Sequence, residues 1–164
     1  MPNTHERCNA RLAELCRRTG ATTFMALLAG FEVVVSRHAG ESDVVIGIPI
    51  AGRVRPELEP MIGAFLNTLV LRNDLSDNPT FRELLGRVRE TSLDAYANQD
   101  VPFELLLADL QPPRDLSRTP LFQIFFNMTH VELASAEYAL AGSALRGHRP
   151  TRPRFEVRLD DVRQ

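Results

Sequence analysis

The feature that most constrains the fold is the apolar run at residues 44–50, which is rich in β-branched side chains and shows no polar alternation. A short run of this kind is typical of a strand that is covered on both faces. Pro49 is expected to close the strand, because a proline in its interior would remove a hydrogen bond of the ladder. A polar loop with two prolines follows at residues 52–60.

Two helices are predicted before this strand. The first spans residues 4–19, with Leu12, Leu15 and Cys16 on its apolar side and Gly20 after its end. The second runs from a cap at Thr22 or Thr23 to Gly40. Its apolar residues follow the 3.6-residue period of a helix, and those expected to face the core are Phe24, Leu27, Leu28, Phe31, Val34 and Val35.

Two more helices are predicted after the strand. Asn78 followed by Pro79 indicates an N-cap with proline at the first helical position, and this helix reaches about Asn98. A short fourth helix opens at Pro102. The residues expected to face inward from the two helices are Phe81, Leu84, Leu85, Val88, Ser92, Ala95, Tyr96, Phe103, Leu106, Leu107 and Leu110.

Three further strands are predicted at residues 66–71, 122–128 and 155–159. The last alternates apolar and polar side chains and is therefore expected at an edge of the sheet. Strands mixed with helices of two turns or more indicate an α/β or α+β layered domain.

Composition excludes several classes of protein. The chain of 164 residues has the size of one domain, and its net charge of -2 argues against non-specific binding of nucleic acid. Cys8 and Cys16 are about 12 Å apart along one predicted helix, too far for a disulfide, and indicate a reducing compartment. No apolar run approaches the roughly 20 residues that span a bilayer, and residues 1–6 do not resemble a signal peptide, so a cytoplasmic protein is expected.

Familiar catalytic constellations are missing from the sequence. The four histidines are isolated from one another, and no metal-ligand spacing, nucleophile elbow, phosphate loop or Cys-x-x-Cys pair occurs. Polar residues near the strand ends leave two interpretations open. Asn67 and Arg72 either satisfy the strand and face solvent, or line a pocket. A charged turn at residues 114–118 is expected to be a loop held by hydrogen bonds and ion pairs among its own residues. These residues are Arg114, Asp115, Ser117 and Arg118.

Five segments resemble the condensation domain of nonribosomal peptide synthetases, in matching order and spacing. Residues 62–72 resemble the motif Ile-Gly-x-Phe-x-Asn-Thr-Leu-x-Leu-Arg. Residues 98–104, Asn-Gln-Asp-Val-Pro-Phe-Glu, are similar to the family's next motif, and 114–123 to the one after it. Residues 46–53 and 154–159 resemble family strands. The resemblance covers about residues 10–160.

The resemblance implies half of a chloramphenicol-acetyltransferase-like fold, in which two lobes with mixed sheets and packed helices enclose a tunnel. Carrier proteins deliver a thioester at each mouth, and the acceptor amine attacks the donor thioester to form an amide. The family's His-His-x-x-x-Asp-Gly signature is absent, so residues 1–164 are expected to be a C-terminal lobe without its last strand and helix. Loss of the general base typically lowers a rate about 10²–10⁴-fold, and the chain alone is therefore expected to be inactive.

The resemblance also implies partners and site residues. The partners are an N-terminal lobe, on the same or another chain, and carrier proteins whose phosphopantetheine arms bring the substrates, with no cofactor or metal bound directly. Self-association through the uncovered face is also expected. Loop 52–60 resembles the family's floor segment and 132–153 its latch, and both are expected to be mobile. The candidate tunnel or lobe-interface residues are Arg53, Gly63, Asn67, Arg72, Gln99, Arg118 and Gln123.

Two alternatives to condensation remain open at this point. An epimerisation domain has a similar fold and abstracts an α-proton, although the segments at 98–104 and 114–118 favour condensation. A non-catalytic module that docks a carrier protein or a tailoring enzyme is the other.

Overall fold

A computed structural model of the chain describes residues 4–52, 56–58, 60–63, 65–113, 118–129 and 154–159, the last six by their backbone. The predicted latch at 132–153 lies outside the described residues. So do Arg53 and its neighbours in the predicted floor loop, and residues 114–117 of the charged turn.

Four helices and four strands make up the described part of the chain. In order they are α1 (Thr4–Thr19), α2 (Thr23–Ala39), β1 (Asp43–Ile50), β2 (Asn67–Asp74), α3 (Phe81–Ala97), α4 (Phe103–Leu110), β3 (Ile124–Thr129) and β4 (Arg154–Leu159), with a 3-10 turn at Pro56–Leu58. The strands form one sheet in the order β2-β1-β3-β4. β1 runs antiparallel to β2 and parallel to β3, and β4 is antiparallel to β3. The mixed sheet and the edge position of β4 are confirmed.

One face of the sheet packs against α2 and α3 and forms the core, with α1 packed on α2. Alternate residues of β1 and β2 point to this side, where Ile46 lies opposite Leu71 and Ile48 opposite Leu69, all four of them buried. Phe126 of β3 adds an aromatic ring, which packs against two phenylalanines of α2 at centroid distances of 5.4 and 5.6 Å. We call this side of the sheet the helix-covered face.

The opposite face is covered at its centre by an aromatic side chain. Gly47 points to this side, and a Cβ built on it would lie 2.5 Å from ring carbons of Phe122. Phe122 itself is buried and packs against Phe103 of α4, with ring centroids 5.7 Å apart. The ring therefore takes the space that a side chain at residue 47 would fill, and the expectation that β1 is covered on both faces is confirmed at this position.

The start of α3 differs from the prediction. Its N-cap is Thr80, whose hydroxyl accepts from the Glu83 N–H at 3.4 Å while the Glu83 carboxylate accepts from the Thr80 N–H at 2.8 Å. Asn78 instead has a positive φ of 51°. The predicted cap at Asn78 was wrong because the reciprocal capping box satisfies two N–H groups, whereas Asn78-Pro79 would satisfy fewer.

Several residues predicted to face inward are exposed. Val34 is 63% exposed, Leu110 56% and Phe81 41%. Val34 is exposed because the side of α2 that packs on the sheet is centred on Leu28 and Glu32, one helical turn apart. Two strands also differ from their predicted bounds, since β2 continues to Asp74 and β3 begins only at Ile124.

Length and apolar composition decide whether a helix can span a membrane. Among the residues described, no single helix is long and apolar enough to cross a bilayer. Within the same described residues, one bent pair, Glu6–Thr19 with Thr23–Ala39 at 103°, meets the length and composition criteria together.

Candidate functional site

Asn67, the first residue of β2, holds a distant segment of the chain against the sheet. Its side-chain Nδ2 donates to the carbonyl oxygens of Gln99 at 2.9 Å and Val101 at 2.8 Å. Its Oδ1 accepts from the N–H groups of Thr68 at 2.8 Å and Phe103 at 3.1 Å. An amide side chain has two N–H donors and one oxygen with two lone pairs, so these four bonds use all of its capacity.

The Asn67 amide satisfies backbone groups of its own chain and has no donor left over. This is the arrangement expected if Asn67 satisfies the end of the strand. It brings together the two segments at 62–72 and 98–104. Gln99 takes part through its main-chain carbonyl. The bond to Phe103 also fixes the first N–H of α4, a helix whose N-cap Pro102 makes no side-chain cap bond.

A groove of about 960 Å³ lies between α4 and the segment at 118–123. Its walls are mainly apolar, with leucines and prolines from both sides, and Glu104 and Arg118 bring opposite charges to the lining. Gln123 also lines the groove, on the side formed by residues 118–123. Its Nε2 donates to the carbonyl oxygens of Thr119 at 2.6 Å and Phe122 at 3.1 Å, which holds this side in place. The structure therefore brings Arg118 and Gln123 together at this groove.

Arg72 lies elsewhere, at the far end of β2 on the surface. It forms a two-pronged ion pair with Asp43 of β1, with Nη2 2.7 Å from Oδ2 and Nε 2.9 Å from Oδ1. The Arg72 hydrogen bond holds the pKa of Asp43 below its ordinary value. Both side chains are at least half exposed. They line a shallow depression of about 510 Å³, where the Asp74 carboxylate accepts from Ser76. Arg72 is therefore a surface brace, and Asn67 and Arg72 do not share a site.

The approach to β2 is apolar and exposed. Ile62 is fully exposed, Leu66 is 77% exposed, and Met61 is also open to solvent. Gly63 lies between them, and a Cβ there would be 3.2 Å from the ring of Phe65. Together with Asn67 and the segment it holds, these residues form what we call the β2-start region, residues 61–63, 65–67 and 99–105.

A buried polar cluster was missed by the sequence reasoning. The Glu32 Oε1 accepts from the Asn73 amide at 2.8 Å, and the Asn73 Oδ1 accepts from the Thr91 hydroxyl at 2.9 Å. Glu32 and Asn73 are buried, as is Ser92 beside Thr91. Burial raises the pKa of Glu32 from 4.5 to about 7, against the opposing effect of the Asn73 bond. The position of Glu32, four residues after the apolar Leu28, is the one signal in the sequence that points to it.

No cluster of three or more potential metal ligands occurs in the part of the chain that the structure describes.

The chain belongs to the condensation domain family, whose model matches residues 3–145. One of the proteins that make up the linear gramicidin synthase of Brevibacillus parabrevis is 54% identical over 130 residues, which is 79% of this chain and 2% of that protein. The chain thus spans only a small part of the curated relatives that it matches.

Solved structures agree with this membership. The X-domain from teicoplanin biosynthesis superposes with a TM-score of 0.66 at 38% identity, covering 71% of this chain and 26% of that one. A four-domain nonribosomal peptide synthetase bound to AMP and glycine superposes with a TM-score of 0.70 at 29% identity, covering 74% of this chain and 9% of that one. The predicted family and fold are confirmed.

Proposed function

We propose that this chain is the C-terminal lobe of a nonribosomal peptide synthetase condensation domain and contributes one wall of a tunnel in which an amide bond forms. The observation that supports the proposal is the Asn67 arrangement. It makes one rigid unit of the two segments that resemble family motifs, and it fixes α4, which forms one side of an apolar groove.

The proposed reaction joins two carrier-bound thioesters. The α-amine of the acceptor attacks the donor thioester carbonyl, a C–N bond forms, the C–S bond breaks, and the amine proton leaves as the carrier thiol is released. A general base must receive that proton in the transition state. We assign it to an N-terminal lobe that bears His-His-x-x-x-Asp-Gly, so this chain alone would form no product.

The candidate residues take different roles in this proposal. Asn67 and Gln99 hold the β2-start region in shape, and Gln123 braces the groove beside Arg118. Arg72 pairs with Asp43 on the sheet surface, at a distance from the groove. Gly63 lies in the exposed apolar approach to β2, which we propose the N-terminal lobe covers. Arg53 belongs to the predicted floor loop at 52–60 and keeps its proposed role at the interface with that lobe.

The remaining partners follow from the same proposal. Substrates would arrive on the phosphopantetheine arms of carrier proteins in the cytoplasm, and the lobe would hold no cofactor of its own. Without the N-terminal lobe, the exposed apolar residues favour self-association. Light scattering at rising protein concentration would then show a growing average mass, and a constant monomer mass would exclude self-association.

Mixing the chain with a separately produced N-terminal lobe tests the proposal. Dipeptide transfer between two loaded carriers is expected only when both lobes are present, and not when the second histidine of the N-terminal signature is replaced by alanine. If the lobes bind but form no dipeptide while the intact domain does, the shared tunnel is wrong and a docking module is favoured.

Two variants of the chain connect this assay to the structure. Asn67→Asp replaces both amide donors with an oxygen that faces the carbonyls of Gln99 and Val101, and we expect reduced transfer. Arg72→Ala removes a surface ion pair on the same strand and is the matched control, with transfer unchanged.

A further inference from the structure

The buried cluster of Glu32, Asn73 and Thr91 connects three elements of the core. Glu32 projects from α2, Asn73 from β2 and Thr91 from α3, and the two hydrogen bonds between them run in series. Val44 lies opposite Asn73 on the helix-covered face, so the cluster sits among apolar side chains. Within the part of the chain that the structure describes, the other Glu32 oxygen, Oε2, has no hydrogen-bond partner, and neither has the buried Ser92 hydroxyl of α3.

A buried carboxylate oxygen without a partner is costly when the group is ionised. Protonation removes the charge and leaves a neutral acid that still accepts from Asn73 through Oε1. We infer that the cluster is a proton-dependent connection between α2, β2 and α3, which stabilises the fold when Glu32 is protonated and weakens it when Glu32 is ionised.

Charged neighbours do not offset the effect of burial on the Glu32 carboxyl group. The elements that pack against α2 are α1, α3, β1 and, through Phe126, the uncharged strand β3, besides the Asn73 contact from β2. Some charged side chains of these elements pair with each other at the surface, as Arg17 does with Glu14 and Asp43 with Arg72. Others donate to backbone carbonyls, as Arg87 does to that of Asp74 and Arg89 to that of Gly20. Burial therefore dominates the raised pKa of Glu32.

The direction of the pH dependence follows from proton binding. Between its ordinary pKa of 4.5 and its folded value of about 7, Glu32 is protonated in the folded protein and ionised in the unfolded chain. Folding then takes up a proton, so the folded-to-unfolded ratio falls by up to about tenfold for each pH unit across this window. Below it the stabilisation is complete, and above it the stabilisation is lost.

Exposed carboxyl groups affect the stability of the fold in a separate pH range. A hydrogen bond from Arg72 lowers the pKa of Asp43, one from Ser76 lowers that of Asp74, and one from Thr80 lowers that of Glu83. These groups contribute stability that is lost as pH falls through their folded pKa values, below the ordinary values of 3.8 and 4.5. Their effect is opposite in sign and lies at lower pH than that of Glu32.

Urea unfolding of the whole chain between pH 4.5 and 8 tests the inference. Glu32→Gln mimics the protonated acid, and we expect the folding constant of the wild type, divided by that of the variant, to fall as pH rises to about 7 and then level. The control Glu41→Gln changes an exposed glutamate just beyond α2, and the same ratio should stay constant. A constant ratio for Glu32→Gln would overturn the inference.

A direct titration decides the question if Glu32→Gln does not fold. The carboxyl carbon of Glu32 in the wild-type chain can be followed by NMR against pH. A midpoint near 7 is expected, and a midpoint in the ordinary glutamate range would overturn the inference.

Discussion

The helix-covered face and the β2-start region bury their apolar residues to different degrees. On the first, Leu71 and Leu85 are completely enclosed by the chain's own strands and helices. In the second, Ile62, Leu66 and Leu105 are exposed, although Asn67 fixes the backbone at residues 99–103 by three hydrogen bonds. The first region is a buried core, whereas the second leaves apolar side chains uncovered, and we propose that another lobe docks there.

The largest effect is expected from a cavity in the buried core. Leu71→Ala should lower the free energy of unfolding by about 2–5 kcal/mol, because Leu71 is fully buried in the sheet. Leu105→Ala removes an equal volume from the exposed side of α4 and should change it by less than about 0.5 kcal/mol. Urea unfolding measures both, and similar losses would mean that the two regions do not differ as described.

A smaller effect is expected where Phe122 covers the opposite face. Gly47→Ala should cost about 1–3 kcal/mol, because its Cβ would overlap the buried ring. Gly86→Ala is the matched control in α3, where a Cβ meets nothing within 4 Å, and should stabilise the chain by up to about 1 kcal/mol. If thermal unfolding shows Gly47→Ala to be neutral, Phe122 does not occupy this position in solution.

Local loosening is expected when the Asn67 donors are removed. Asn67→Asp retains the oxygen that accepts from Phe103 but places a carboxylate against two carbonyls, and should cost about 1–3 kcal/mol. Amide hydrogen exchange should rise around residues 99–103 and remain unchanged in α2. Increased exchange in both regions would show that the β2-start region is part of the same cooperative core.

The smallest effect is expected at the surface end of β2. Arg72→Ala breaks an ion pair between exposed groups, and such pairs contribute little. We expect no measurable change in the urea midpoint, and added salt should not distinguish the variant from the wild type. A clear loss of stability would assign Arg72 a larger role than a surface brace.

Features with local causes could be predicted from the sequence. The end of α2 at Gly40 follows from a glycine with a positive φ of 71°, and its start follows from the threonine cap at residue 22. The start of α3 also has a local signal, the capping box of Thr80 and Glu83, but the Asn-Pro pair before it suggested an earlier start.

Features that depend on distant contacts could not be predicted in the same way. Asn67 bonds to groups 32 to 36 residues away, and only the folded chain determines which of its donors are used. Glu32 and Asn73 are 41 residues apart, so the helical position of Glu32 after Leu28 can indicate that Glu32 is buried but not which residue it contacts. Motif resemblance identified the family, but it did not indicate that Asn67 and Arg72 lie near opposite ends of β2.

Hydrogen exchange of the chain with and without a separately produced N-terminal lobe tests the central claim most directly, because it locates the surface that the partner covers. We expect slower exchange at residues 61–66 and 99–105 when the lobe is added, with α2 unchanged. Slower exchange confined to α1 and α2, with the β2-start region unaffected, would contradict the account.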